Sequence, residues 1–312
     1  MSEQELPVAA RPAGDMHLPH ARSRVLTARR AVGWLPRRLK RWYRRQWWSV
    51  KARWLKQLPL AAQPTCLFVT LVRHGALSAH AVHHMRAWHD AGWQVVAVVV
   101  ADDLGQFTQA DEIDFARAIL VRQNRGYDFA AWADAIRRLS SQLAQLPILA
   151  IANDSVFGPL TRFGAMLDKV QETDADVIGM TDSHEVVHHF QSYLLFFKNR
   201  AIRSAAFRRF WHRVEIGDRD FVIDRYEVRL LGLMRDAGLR CTCLFPTPPE
   251  PLINPTLTRW RELVGAGFPY IKADLLRTNP WKVDLTGWEA MLADNGYDPE
   301  LARAHLAPRP RS

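Results

Sequence analysis

The sequence predicts an α/β fold in which a mostly parallel sheet is covered by helices. Three features lead there. Apolar runs of strand length alternate with helical stretches, and those runs are continuous in Val, Ile and Leu, as in strands buried on both faces. The polar motifs gather after the C-terminal ends of those runs. A chain of 312 residues, 48% hydrophobic and 24% charged, suits one large α/β domain with extensions and argues against global disorder.

Taken in order, residues 66–72 (CLFVTLV) read as a buried strand, followed by a helix over 78–91. Residues 94–101 (QVVAVVVA) form a second strand and 118–122 a shorter one, with a helix after it over 129–143. PILAIA (147–152), DVIGM (176–180) and QSYLLFF (191–197) continue the sheet, and helices are predicted near 202–214 and 222–237. Cys241 and Cys243 alternate along a further short strand. Two thiols make half a zinc site, so they read as small buried side chains, and 3 Cys exclude a disulfide-built fold.

The net charge of +10 is unevenly placed. Between Met16 and His89 there are 15 Lys/Arg and no acidic residue, whereas residues 90–312 are slightly acidic. Residues 1–21, rich in Pro, Ala and His, read as a disordered tail, 22–62 as a basic aromatic arm, 63–306 as the folded domain and 307–312 as a tail. Trp and Leu recur at helical spacing in the arm, at Leu35/Leu39/Trp42 and Val50/Trp54/Leu58. Such an amphipathic helix over 22–58 suits an anionic membrane surface, where each cation adds about 1 kcal/mol. The alternative is a solvated linker whose tryptophans pack on the domain. An acidic body with no recognition module argues against nucleic acid. No apolar run is long enough to span a bilayer and no secretory signal is visible, so a cytoplasmic protein, peripheral on the inner face of the membrane, is expected.

RHG (73–75), ADD (101–103), RQNRGYD (122–128), NDS (153–155) and TDSHE (181–185) all follow strands, at the edge where open α/β sheets bind ligands. Gly126 permits a tight turn before a helix whose first N–H groups suit a phosphate; Asn124 and Asp128 could bond a ribose or base, and Asp128 could equally cap the helix. Asp154, delivered by an apolar strand with Asn153 beside it, suits a hard cation, Mg²⁺ or Mn²⁺, bridging a diphosphate. The Asp174-Ala175-Asp176 DxD precedes a strand and is expected at the opposite edge. His189 and Gln191 enter a strand on one face, with His184 and His188 competing for any metal or sugar role. Asp182 is a second candidate catalytic carboxylate. Glu227, before an apolar helical run, could act as general base or simply compensate a helix dipole.

QNRGYDFAAWADAI, ILAIANDSVFGPL, DVIGMTDSHEVVHHFQSYLLFF, FRRFWHRV, IDRYEVRLLGLMRDAG and NPTLTRWRELVGAGFPYIKADLLRTNP, in this order from about residue 66 to 306, resemble the rhamnan synthesis protein F family of bacterial surface-polysaccharide assembly. The resemblance implies a GT-A-like, Rossmann-type sheet and glycosyl transfer from a nucleotide-sugar such as dTDP-rhamnose to a lipid-linked saccharide. It puts Asn124, Gly126, Asp128 and Asn153 at the nucleotide, Asp154 at the metal, His189 and Gln191 in the sugar pocket, Glu227 at the base position and Lys272 against donor phosphate or an anionic acceptor. The chain departs at the metal motif, where NDS offers one aspartate in place of two. A non-catalytic scaffold built on a degenerate transferase domain is the rival expectation.

Overall fold

The computed structural model describes residues 50–72, 75–108, 110–248 and 254–307. The tail, the arm as far as residue 49 and Arg73-His74 of RHG lie outside the described residues.

Strands β1 (Ala52–Gln57), β2 (Thr65–Leu71), β3 (Gln94–Ala101), β4 (Ala118–Gln123), β5 (Ile148–Asn153), β7 (Val177–Ser183), β9 (Leu194–Lys198) and β10 (Cys241–Phe245) make one sheet in the order β1-β4-β3-β2-β5-β9-β7-β10. Short β8 (His189–Phe190) pairs with β7, and β6 (Val156–Phe157) pairs with β11 (Ile271–Lys272) in a separate ribbon. Pairs β4/β3, β3/β2, β2/β5 and β7/β10 are parallel. QSYLLFF yields β9, an antiparallel strand between β5 and β7, which leaves those two pointing the same way. The C-terminal ends of β2, β3, β4, β5, β7 and β10 therefore share one edge, and ADD, RQNRGYD, NDS and TDSHE with them. Asp176, before β7, lies at the other edge, held by Arg200 at 2.8 Å and by the Arg240 N–H at 2.8 Å, as its place in the sequence implies.

The inner strands are apolar on both faces because each face has its own helices. Leu67 and Val69 of β2 join one core with Trp132 and Ile136 of α2 (Tyr127–Arg138), Phe207 and Trp211 of α4 (Ala205–His212), and Leu231 and Met234 of α5 (Val228–Asp236). Cys66 and Phe68 face the other core with Met85 and Trp88 of α1 (Ala79–Asp90) and Met166 and Val170 of α3 (Phe163–Glu172). This period-two division is what strands buried on both sides require.

The start of the folded body needs correction. Residues 50–62 are not part of an amphipathic arm: β1 pairs antiparallel with β4 as an edge strand, Ala52 opposite Arg122 and Gln57 opposite Ala118. Strand alternation sends Trp54 to one core and Leu55 to the other, and the register shifts by one residue between Trp54 and Lys56. The helical spacing of Val50, Trp54 and Leu58 is overridden by the open edge of β4 and by burial on two faces. Lys51, Arg53 and Lys56 are thus cations of the sheet edge; Arg53 donates to the Phe107 carbonyl at 3.1 Å.

Candidate active site

The site is assembled where β5 ends and α2 begins. Gly126 caps α2 at φ 81°, and a Cβ there would meet the Ala130 Cβ at 2.8 Å and Ile216 at 3.1 Å. Only glycine fits both the angle and the space. Tyr127 follows at φ 55°, exposed, and Asp128 sits in the first turn.

Asn153, buried at the end of β5, joins strand to helix: its Nδ2 donates to Asp128 Oδ2 at 2.7 Å. Its Oδ1 accepts from the Ser155 N–H at 3.1 Å and hydroxyl at 2.6 Å. Asp154 is held from the neighbouring strand, its Oδ2 accepting from Thr70 Oγ1 at 2.8 Å and the Leu71 N–H at 3.2 Å. Among the described residues no hydrogen bond engages Asp154 Oδ1, which leaves an acceptor available at a half-buried carboxylate.

Glu227 reaches the same place from another element. It is not at a helix start: Arg219–Val222 is already helical, Ile223–Glu227 is a π turn, and α5 continues from Val228. Dipole compensation at a first turn is therefore not its role, and π turns recur at functional sites. Its Oε1 accepts the Ser192 N–H at 3.3 Å. The charges converge on Asp128, whose carboxyl is pushed up to about 6 by burial first, then by Asp154, with Glu227 adding to the rise, while Asn153 and buried Arg122 pull it down. Lys272 completes the group. Its β11 lies opposite Val156, and the Ala273 N–H donates to the Ser155 carbonyl at 2.8 Å. Burial holds the Lys272 ammonium below its ordinary value, against the opposing charges of Glu227, Asp274 and Glu185.

Gly126, Asp128, Asn153 and Asp154 are thus brought together, with Glu227 near enough for its charge to act on Asp128 and Lys272 near enough to feel Glu227. The other candidates are committed to protein partners. Asn124 is exposed and donates to Asp102 at 3.0 Å. His189 is buried, its Nδ1 against the Val187 carbonyl at 2.8 Å. Gln191 bridges Thr181 at 2.6 Å and Asn254 at 2.9 Å through its amide. Asp182 belongs to a different group, with His188 at 2.8 Å on Oδ2 and the Thr247 N–H and hydroxyl each at 2.7 Å on Oδ1. Its carboxyl is resisted by burial, yet the bonds from His188 and Thr247 hold it below the ordinary aspartate value.

Thr70 and Ser192 escaped sequence reasoning, and Arg122 entered it only as the first residue of RQNRGYD. Thr70 is a lone hydroxyl inside CLFVTLV, where only strand pairing with β5 reveals a partner. Arg122 ends the apolar run AILV and is 1% exposed, its Nη2 donating to the Arg125 carbonyl at 2.9 Å. A cation closing a buried strand was the available signal.

A virulence protein, VirA, of Vibrio anguillarum is 27% identical over 233 residues, spanning 62% of this chain and 75% of that protein. An uncharacterised protein, y4gN, of Sinorhizobium fredii is 26% identical over 146 residues, 45% of this chain and 38% of its own. A solved structure of a Drosophila β-1,4-galactosyltransferase 7 mutant, in complex with manganese, UDP-Gal and xylobiose, is similar over 73% of this chain and 79% of that one, at 10% identity and a TM-score of 0.35. The strand order and the helices on both faces define the α/β fold independently of that likeness. The model of rhamnan synthesis protein F matches residues 96–306, which hold the site carboxylates and all of the sheet but β1, β2 and the start of β3, and the chain belongs to the rhamnan synthesis protein F family.

Proposed function

We infer that the protein is a glycosyltransferase of cell-surface polysaccharide synthesis, moving a deoxysugar, rhamnose, from dTDP-rhamnose to a lipid-linked saccharide at the inner membrane face. Family membership supports the pathway. The observation that carries the reaction is the meeting of Asp128, Asp154, Glu227 and Lys272 at the C-terminal edge of the sheet.

The donor set fits a hard divalent cation. It is made of oxygen, and Asp128 carries the imprint of two further carboxylates whose mutual repulsion such a cation would relieve. Asp154 and Asp128 would hold Mg²⁺ or Mn²⁺, which when bound neutralises charge on a diphosphate leaving group. The chain's own residues do the rest. Thr70, Leu71 and Asn153 fix the two aspartates before any ligand arrives, so little reorganisation is needed as charge develops. Backbone N–H groups after Gly126, at the start of α2, face the same charge, and Lys272 offers a cation from β11. Glu227, steadied by the Ser192 N–H, takes the proton of the attacking acceptor hydroxyl at a carboxylate oxygen. An arm before Val50 that adheres to anionic lipid would raise the effective concentration of a membrane-bound acceptor.

Calorimetry with nucleoside diphosphates, with and without Mn²⁺, followed by transfer assays with dTDP-rhamnose, tests this reading. Binding that needs Mn²⁺ and is lost in Asp154→Asn is expected. A second reading, a scaffold built on a degenerate transferase domain, is favoured by the NDS motif, in which Asn153 and Ser155 bond each other. Absence of any nucleotide binding would select it.

A further inference from the structure

The loop between β7 and β8 carries a second set of ligand-type side chains that the transfer reaction does not use. Asp182 is buried near the end of β7, and His184 and His188 are the first and last residues of a loop closed by the pairing of Ser183 with His189. One oxygen or nitrogen from each of the three lies within 4.8 Å of the others. The imidazoles are stacked 4.4 Å apart and parallel to within 2°.

We propose that Asp182, His184 and His188 form a binding site for a borderline transition-metal ion of the Zn²⁺ class, separate from the oxygen site at Asp154. Two imidazoles and one carboxylate select Zn²⁺, Co²⁺ or Ni²⁺ over Mg²⁺, by ligand softness. Three protein ligands leave a position open to water or to an added ligand. Metal–ligand bonds of about 2.0–2.2 Å put neighbouring tetrahedral donor atoms roughly 3.4 Å apart, so the donor atoms must close up and the two rings must tilt out of their parallel stack, because each ring's lone pair lies in its own plane. The supporting shell is already built: Thr247 fixes Asp182 Oδ1 with two hydrogen bonds and leaves Oδ2 for the metal.

The protons balance. Arg235 Nη1 lies 3.2 Å from His188 Nδ1 and can only donate, so without metal the His188 proton sits on Nε2 and bonds Asp182. On binding, the metal takes the place of that proton between Nε2 and Oδ2. The proton passes to Nδ1, and Arg235, exposed in the last turn of α5, gives way. The ion would cross-link the two ends of a loop that also carries Glu185, whose charge reaches Lys272.

The test uses the full chain stripped by chelator, with no donor or acceptor present. Zn²⁺ alone is titrated by calorimetry, and Co²⁺ is followed by its visible d–d absorption. Wild type is expected to bind one equivalent more than the His184→Ala/His188→Ala variant, to show Co²⁺ bands that the variant lacks, and to keep them under excess Mg²⁺. Identical stoichiometry and spectra in the two proteins would overturn the proposal. So would loss of the bands in Asp154→Asn, which would assign them to the carboxylate site. Should the double variant fail to melt cooperatively, His184→Ala alone decides: lost bands support the site, unchanged bands overturn it.

Discussion

Asn153 Nδ2 donates to Asp128 Oδ2 across 2.7 Å, so the end of the central strand and the first turn of the following helix are held by a single side-chain bond. That bond favours the ionised form of Asp128, whereas burial, Asp154 and Glu227 favour the protonated one. The site stores unfavourable charge that a cation is suited to relieve.

A carboxyl raised in the folded state binds its proton more tightly there than in the unfolded chain. Its contribution to stability is complete at low pH and is lost as pH rises through the interval from the ordinary 3.8 to about 6. Asp128→Asn should therefore be more stable than wild type at pH 7.5, by at most about 3 kcal/mol, with no advantage below pH ~4. Urea midpoints of both proteins at the two pH values check this.

A Mn²⁺ ion held by Asp128 would compete with the same proton. Its affinity for wild type is expected to climb through pH ~5–7 and to level off above, as Asp128 ionises. Titrations across that range would show a flat profile if Asp128 were not a ligand.

Asp154→Asn should remove transfer and weaken Mn²⁺ at least tenfold, while losing only about 1 kcal/mol of stability, because an amide oxygen still accepts from Thr70 and Leu71. Glu227→Gln keeps the bond from Ser192. It should bind donor normally and turn over roughly 10²–10⁴-fold more slowly. A near-normal rate would move the base elsewhere.

Gly126→Ala meets a positive φ and a 2.8 Å approach to Ala130 at once. A loss of about 1–3 kcal/mol in a denaturant melt is expected, together with weaker nucleotide binding.

Removing residues 1–49 should leave the melting of the folded body unchanged and abolish binding to anionic vesicles. Removing nine more takes away β1 and exposes the edge of β4, and a fall in melting temperature is expected. Equal melting of the two truncations would contradict the role assigned to β1.

Much of this architecture could be read from the chain. Buried parallel strands announce themselves by continuous apolar runs, and QVVAVVVA matched β3 residue for residue. That the polar motifs share one edge of the sheet followed from where they stood in the chain, and Asp154 lies at that edge. β1 was missed because three apolar residues four apart look helical, and only the unpaired edge of β4, more than 60 residues on, makes a strand the better burial. Asp182 and Glu227 were equally legible as acidic residues next to apolar segments. Which of them joins Asp128 depends on where Thr247 and Ser192 fall in space, and no local pattern records that.

The π turn at Ile223–Glu227 amounts to a phase slip in one helical rod. The pieces on either side are out of step by about 100°, so each can sink its own greasy flank while the carboxylate marks the joint. A lineage that lost a single residue here would keep a helix yet swing Val222 and its neighbours out of alignment with the rest. An indel of one should therefore be tolerated far less at this point than in any surface loop of the molecule.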